Sequence, residues 1–430
     1  MARLLQINTF PTLRPVHGGQ RRAHHTARVL EAAGFEVRRV AAYRFDYYAG
    51  HPSEPAVDLK PPTAPRQPTT WLFDGARWLA QDPAALAAFH ALCDTAAPDC
   101  ILVEEPWLWP ALQTLPAVSA GALPVVYNSY NIEGPLFARA VPGGGAHAEA
   151  AAAEVAAIEA EIALRAAACS AVTPQDAAAL EALGARRVVV APNGVERRYR
   201  AYLAGALPDA VDPSLSYVLY VASGHPPNAS GIPDLFTAML TALRPLERLV
   251  VAGGVCHLIN RWLYERGGPS HLARGRAILL GEISDFCLDG LIANASGIVL
   301  PLRRGGGSNL KTAEALDSLL PIVATPTAMR GYAEYANLEG VIVAEDVAAF
   351  AAGMRRVFED PPPRRQPGPA LDRLLWDSTL RPIVDLVREI LGTSEARVDG
   401  TGRRFAGAEH AGGAAAEAGA VGRQPAANRC

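Results

Sequence analysis

Lysine is nearly absent from this chain. Of 40 basic residues among 430, only Lys60 and Lys311 are lysines and the rest are arginines. The bias, alongside abundant alanine, glycine and proline, reads as genomic, so a lysine kept inside a structured motif becomes a signal. Charge of one sign is also lacking: the formal net charge is −3. No basic stretch interleaved with aromatics appears, which removes the electrostatic case for a nucleic-acid partner. The six cysteines, at positions 93, 100, 169, 256, 287 and 430, lack the paired spacing of a metal site. No apolar run reaches roughly 18 residues, so no membrane span is expected. The opening Met1–Phe10 is too short and polar for the apolar region of a secretion signal, and a cytoplasmic location is expected. There is no Gly-x-Ser-x-Gly elbow for a hydrolytic serine and no Gly-x-Gly-x-x-Gly dinucleotide fingerprint. No Asp-x-Asp pair offers a divalent cation a place, and no internal repeat is visible.

What is present is alternation. Short apolar segments (Leu4–Asn8, Glu36–Ala41, Cys100–Val103, Pro124–Asn128, Ser170–Thr173, Arg187–Val190) alternate with helical patterns, the signature of a parallel sheet covered on both faces. A second series follows at Tyr217–Val221, Arg248–Ala252, Ala277–Leu280, Gly297–Leu300, Pro321–Ala324 and Val341–Val343. The expected fold is α/β, with two facing Rossmann-like, doubly wound domains and an interdomain cleft. The expected boundaries are 1–195 for the first domain, 196–215 for a linker and 216–375 for the second domain. A helix at 376–392 is expected to pack back on the first domain, and a disordered tail to fill 393–430. Ligands of such sheets sit beyond the C-terminal strand ends.

The most informative run is Gly305-Gly306-Gly307-Ser308-Asn309-Leu310-Lys311-Thr312-Ala313-Glu314. It joins a buried strand to a helix start. Glycine lets backbone N–H groups approach an oxyanion closely, and the first helical turn offers unpaired N–H groups and a positive dipole end. Ser308 or Asn309 can cap that helix. Lys311 and Glu314, three apart, share a face. The ammonium suits a phosphate as a point charge, and the carboxylate can accept two sugar hydroxyls.

Several pieces in order resemble the group 1 (family 4) glycosyltransferases of GT-B fold, which are retaining enzymes dependent on nucleotide-sugars. They are Val16-His17-Gly18-Gly19-Gln20-Arg21-Arg22, Tyr127-Asn128-Ser129-Tyr130-Asn131-Ile132-Glu133, Ala191-Pro192-Asn193-Gly194-Val195, Val221–Asn228, Gly281–Asp285, and Gly305–Leu316 with Pro321–Thr325. The resemblance implies transfer of a sugar from a UDP- or GDP-type donor to a glycan, lipid-linked or small-molecule acceptor. No cofactor and no metal are implied. Contact with the inner face of the membrane would be peripheral.

The resemblance also implies roles. Glu314 would hold the donor ribose, and Lys311 with Gly306, Gly307, Ser308, Asn309 and Leu310 the diphosphate. Gly18 and Gly19 would face the phosphates from the other domain. Ser223, Gly224 and His225 would line the cleft, and Ile283 and Asp285 would border the base; by their place at a strand end beside the glycine loop, not by resemblance, Arg303 and Arg304 are further diphosphate candidates. Tyr130 joins Lys311 and Glu314 as a catalytic candidate, while His17 and Asn131 fall on the acceptor side; Trp107, by its place after a strand end rather than by resemblance, is expected there too, its face stacking on a sugar. Three positions depart from the family pattern. Gly306 stands where a first glutamate is usual, Tyr130 where histidine is usual, and His225 with two prolines where a basic pair is usual. Two alternatives share the scaffold: a sugar-nucleotide-binding partner subunit without catalysis, and a nucleotide-sugar epimerase.

Overall fold

The computed structural model describes residues 1–15, 17–43, 59, 76, 78–140, 145–198, 202, 205–265 and 267–398. Most of the proline-rich stretch 50–70, and the part of the expected 393–430 tail beyond 398, lie outside the described residues.

The first half runs β1 (Arg3–Asn8), α1 (Gly18–Ala32), β2 (Glu36–Ala41), α2 (Pro83–Ala96), β3 (Cys100–Val103), β4 (Val125–Asn128), α3 (Glu133–Ala140), α4 (Gly145–Arg165), β5 (Ala168–Ala171), α5 (Pro174–Ala182) and β6 (Val188–Val190). Its six strands are all parallel, in the order β2-β1-β3-β4-β5-β6. The second half runs β7 (Ser216–Val221), α6 (Ile232–Thr241), β8 (Glu247–Ala252), α7 (Val255–Glu265), β9 (Ala277–Leu279), α8 (Asp285–Asn294), β10 (Gly297–Leu300), α9 (Leu310–Asp317), β11 (Ile322–Ala324), β12 (Val341–Val343) and α10 (Val347–Glu359). These strands are also parallel, ordered β12-β11-β10-β7-β8-β9. The helix α11 (Arg381–Val398) closes the described chain. The α/β expectation of two doubly wound sheets therefore holds.

The local chemistry explains these elements. The central strands Cys-Ile-Leu-Val, Val-Val-Tyr-Asn and Gly-Ile-Val-Leu are buried at every position, as parallel strands covered on both faces must be. Asp82, Thr173, Ser284 and Asp346 each cap a helix by accepting a main-chain N–H. Alternation along β1 sends Leu5 and Ile7 to one face, where they meet Phe89, Val103, Tyr127 and Ile162. Leu4 goes to the other face and joins Leu30, Leu102 and Val126. That second face is covered by Trp376, Leu380, Ile383, Val387 and Ile390, so α11 and the turn before it complete the core of the first half.

The segment expected as a linker is anchored to the second half. The main-chain N–H of Arg198 donates to Asp317 Oδ2 at 3.0 Å, and its guanidinium is held by both oxygens of Asp289 at 2.9 and 2.8 Å. Val211 is 2% exposed within the core of the second half.

The chain passes between the halves near Gly194 and again before Trp376, and the two passages are tied together. Val195 N–H donates to Leu374 O at 2.9 Å, and Trp376 N–H to Val195 O at 3.4 Å. A Cβ on Gly194 would lie 2.7 Å from Trp376 Cα and 2.8 Å from its nitrogen. Backbone is the obstacle, so the clash cannot be relieved by a rotamer change. Gly194→Ala should therefore cost about 1–3 kcal/mol, the range for overpacking a tight site, read as a lowered melting temperature. An unchanged melting temperature would show that the crossing is loosely packed.

Candidate active site

Each sheet marks its own crevice by the point where strand order reverses. In the first half, β1 and β3 diverge in connection there; in the second, β7 and β10 do so. The loops leaving these strand ends meet across the cleft. Gly18, the first residue of α1, sits so close to α9 that an added Cβ would lie 3.0 Å from Leu310 Cδ1. The N-terminal ends of two helices thus face one gap. α1 is capped by His17, whose Nδ1 accepts from Gln20 N–H at 3.4 Å while Gln20 Oε1 accepts from His17 N–H at 3.2 Å. No side chain caps α9. Asn309 stands at its N-cap position but gives its amide to the carbonyls of Thr327 and Ala328, each at 3.3 Å. The hydroxyl of Ser308 accepts from Asn193 N–H at 2.9 Å. Neither residue fills the capping role expected of it, and the dipole end of α9 stays open.

Lys311 is half-buried in the first turn of α9 and makes no hydrogen bond or ion pair with another described residue. Burial lowers its pKa to about 8, with the nearby Glu314 opposing the shift. Glu314 is bound across the cleft: Arg21 Nη1 donates to its Oε1 at 2.9 Å. His225 is exposed at the rim, yet its pKa is lowered by desolvation in the crevice and then by the charge of Lys311. Ser223 accepts from Asn228 Nδ2 through its carbonyl at 2.9 Å and its hydroxyl at 3.1 Å. Gly224 packs on Gly254, which in turn neighbours the Glu282 carboxylate. The segment with Ile283, half-buried against the core, and the exposed Asp285 therefore continues the same wall. Arg304 is exposed, with its main-chain N–H on Ser230 Oγ at 2.9 Å.

Beneath the gap runs a buried polar chain. Glu104 accepts from Gln6, from Asn128 Nδ2 at 2.7 Å and from the Tyr130 hydroxyl at 2.6 Å. Arg22, 1% exposed, donates to Asn128 Oδ1 at 3.1 Å and Asn193 Oδ1 at 3.3 Å. Its guanidinium lies 5.5 Å from the centroid of the Tyr130 ring. Asn193 then reaches the second half, donating from Nδ2 to Ser308 O at 2.8 Å and accepting from the Tyr332 hydroxyl at 2.9 Å. Burial raises the pKa of Glu104, an effect opposed by its donors and by Arg22.

Three expected site residues are corrected by this geometry. Tyr130 commits its hydroxyl to Glu104, and burial holds its pKa well above that of an ordinary phenol. It is therefore no base facing the cleft. Trp107 is 5% exposed and belongs to the core, so its face cannot stack on a sugar. His17 is engaged as a helix cap rather than standing free on the acceptor side. Asn131 does reach the gap. A Cβ on Gly306 would lie 3.0 Å from its Oδ1 and one on Gly307 2.7 Å, while Asn131 Nδ2 donates to Glu133 Oε1 at 3.2 Å. The departure at Gly306 has this physical reason: the Asn131 amide occupies the space a side chain would need.

Arg21, Arg22, Asn193 and Arg330 border or support the candidate site, and the sequence pattern assigns them no role. Cations just inside the start of α1 oppose its dipole, and that was the available signal. Arg330 crosses the cleft, pairing with the buried Asp176 and donating to Gly305 O at 3.3 Å.

Residues 17–194 match the glycosyl transferase 4-like domain, and residues 216–360 match the glycosyl transferases group 1 domain. The chain belongs to the group 1 glycosyltransferases and is a glycosyltransferase of GT-B fold. Among solved structures, it is similar to sucrose-phosphate synthase from Thermosynechococcus elongatus, with 17% identity and TM-score 0.61, covering 93% of this chain and 98% of that one. It is also similar to WaaG, a glycosyltransferase of lipopolysaccharide biosynthesis, with 16% identity and TM-score 0.56, covering 92% and 98%. The third is Anabaena HepE in complex with UDP, with 16% identity and TM-score 0.57, covering 93% and 99%. No curated protein matches the chain in sequence. Among the described residues, no helix is long and apolar enough to cross a membrane.

The cross-cleft pair is testable. Removing Arg330 strands a carboxylate that is 2% exposed in its side chain, and an orphaned buried charge costs more than the pair contributes. Arg330→Ala should lower the melting temperature and widen the cleft in small-angle X-ray scattering, and adding Asp176→Asn should recover part of the loss. Identical scattering from the wild type and the single variant would show that the pair does not hold the halves together.

Proposed function

We propose that the protein transfers a sugar from a nucleoside-diphosphate sugar to a glycan, lipid-linked or small-molecule acceptor, with retention of anomeric configuration. The observation that carries this reading is the unpaired, half-buried Lys311 at an uncapped helix N-terminus, facing the start of a second helix. Two positive dipole ends and an ammonium form a preorganised anion site, and a departing diphosphate is the charge such a site stabilises most. In this reading Glu314, one turn further along α9, accepts the two ribose hydroxyls. UDP and UDP-glucose occupy HepE, which favours UDP among the candidate nucleotides.

In this reading the cation and the helix dipoles supply the stabilising charge without a metal. The leaving phosphate oxygen, on the same face as the acceptor, takes the acceptor proton as the new glycosidic bond forms. That route needs no separate strong base, in keeping with the engagement of the Tyr130 hydroxyl. In this reading the Asn131 amide, which lies at the gap, orients the acceptor.

Two measurements test the reading. Calorimetry with UDP, GDP, ADP and their sugar conjugates should find one family that binds, and Glu314→Ala should weaken it by roughly 1.5–3 kcal/mol, the scale of a hydrogen bond to a charged group. Unaltered affinity in a folded variant would remove the ribose assignment. The pH profile tests Lys311. Its ammonium is present below a pKa of about 8 and is lost above it. Diphosphate affinity should therefore be level towards pH 7 and decline as pH rises through 8, whereas Lys311→Arg should flatten the decline because guanidinium stays charged. A decline of the same size in Lys311→Arg would place the titrating group elsewhere.

A further inference from the structure

Arg21 occupies a position that its own helix disfavours. It lies just inside the N-terminus of α1, where the dipole repels cations. Its sole anionic partner within 4 Å among the described residues is Glu314 of the opposite half, at 2.9 Å. Both side chains of this pair are 42% exposed, so water competes for it and it contributes little to stability. It is nevertheless the contact that a bound nucleotide would disturb. Glu314 shares a helix face with Lys311, and Gly18 of the same α1 turn touches Leu310. Arg21, Lys311 and the two helix ends thus border one gap, with Glu314 the carboxylate that Arg21 contacts there.

We propose that Arg21 is a diphosphate ligand that exchanges Glu314 for the donor. On donor entry the ribose hydroxyls take over Glu314, and the released guanidinium turns to the diphosphate as the cation contributed by the first half. A planar guanidinium can give two parallel N–H bonds to phosphate oxygens. This would supply the charge left missing where His225 and two prolines stand in place of a basic pair. The Arg21–Glu314 pair therefore acts as a stand-in for the ligand, holding the cleft half-assembled until both partners are traded at once. The proposal rests on the donor reading given above.

The exchange has a signature that a merely structural ion pair lacks. Losing Arg21 frees Glu314, which should leave nucleoside binding unchanged or improve it, while diphosphate binding loses a charged contact. Calorimetry would compare UDP with uridine, or GDP with guanosine if that family binds, on the full chain carrying Arg21→Ala or Arg21→Lys. In Arg21→Ala the diphosphate should lose about tenfold in affinity, the lower end for a hydrogen bond to a charged group. The nucleoside should hold or gain up to about fivefold, the most an exposed ion pair is worth. Arg21→Lys should restore part of the diphosphate loss, which separates charge from misfolding. Equal losses for nucleoside and diphosphate, or no loss for the diphosphate, would overturn the exchange while leaving the donor reading intact. A wild-type protein that binds none of these nucleotides would instead overturn the donor reading, and the exchange with it.

Discussion

The structure turns on one buried guanidinium. Arg22 is 1% exposed, and a charge so placed must be compensated or it would not stay. Glu104 supplies the counter-charge through Asn128 and Tyr130, and Asn193 continues the chain into the second half at Ser308. The consequence is geometric. The loop that opens α9 is fixed by hydrogen bonds that begin in the core of the other sheet. The site is therefore not two independent surfaces brought near one another, since the first half positions the glycine turn of the second. Its polar members are high-stakes for the same reason: in a low-dielectric interior each unsatisfied group would cost more than its bond contributes.

Close approach completes the cleft. Gly307 has φ 60° and lies against Tyr130 O and the Asn131 amide, a conformation and a space that together admit only glycine. Gly331, with φ 83°, allows Ser308 and Thr173 to approach in the same way. Backbone packed on backbone brings the N-termini of α1 and α9 to one gap, with Arg330 and Asp176 tying the rim. Opening and closing must then break a small, defined set of contacts, the behaviour expected of a hinge between two rigid sheets.

The fold was legible because its signal is repetitive. Alternating apolar strands and helical patterns in two series can hardly form anything but parallel sheets covered on both faces, and β1 to β12 fall where those runs lie. The glycine run before Lys311 was legible because its chemistry is local: a strand end, a flexible turn and a helix start are consecutive in sequence. What failed to show was contact between distant residues. Trp107 and Trp109 follow a strand end, where a cleft position is as natural as the core position they take. The direction of the Tyr130 hydroxyl depends on Glu104, 26 residues away, and no spacing rule encodes it. Nor could the arginines at 21 and 22 be separated by pattern: adjacent on one helix, one turns into the core and the other to the rim.

In the donor reading proposed above, that divergence explains how a chain almost without lysine would build a phosphate site. Arginine stays charged wherever it is placed, so it serves well as a buried strut or as a forked ligand, but not as a group whose charge is tuned by burial. Lysine alone offers a compact charge whose strength the surroundings can adjust. Burial lowers the pKa of the lysine in the glycine-loop helix to about 8, and the cost of that burial would fall when an anion arrives to share its charge. A site held strained while empty and relieved when filled favours the state with the most negative charge opposite it. In a transfer reaction that state is reached as the diphosphate departs. On that reading Lys311, Arg21 and Arg22 would divide three tasks among the cations at the cleft: tuning, capture and support.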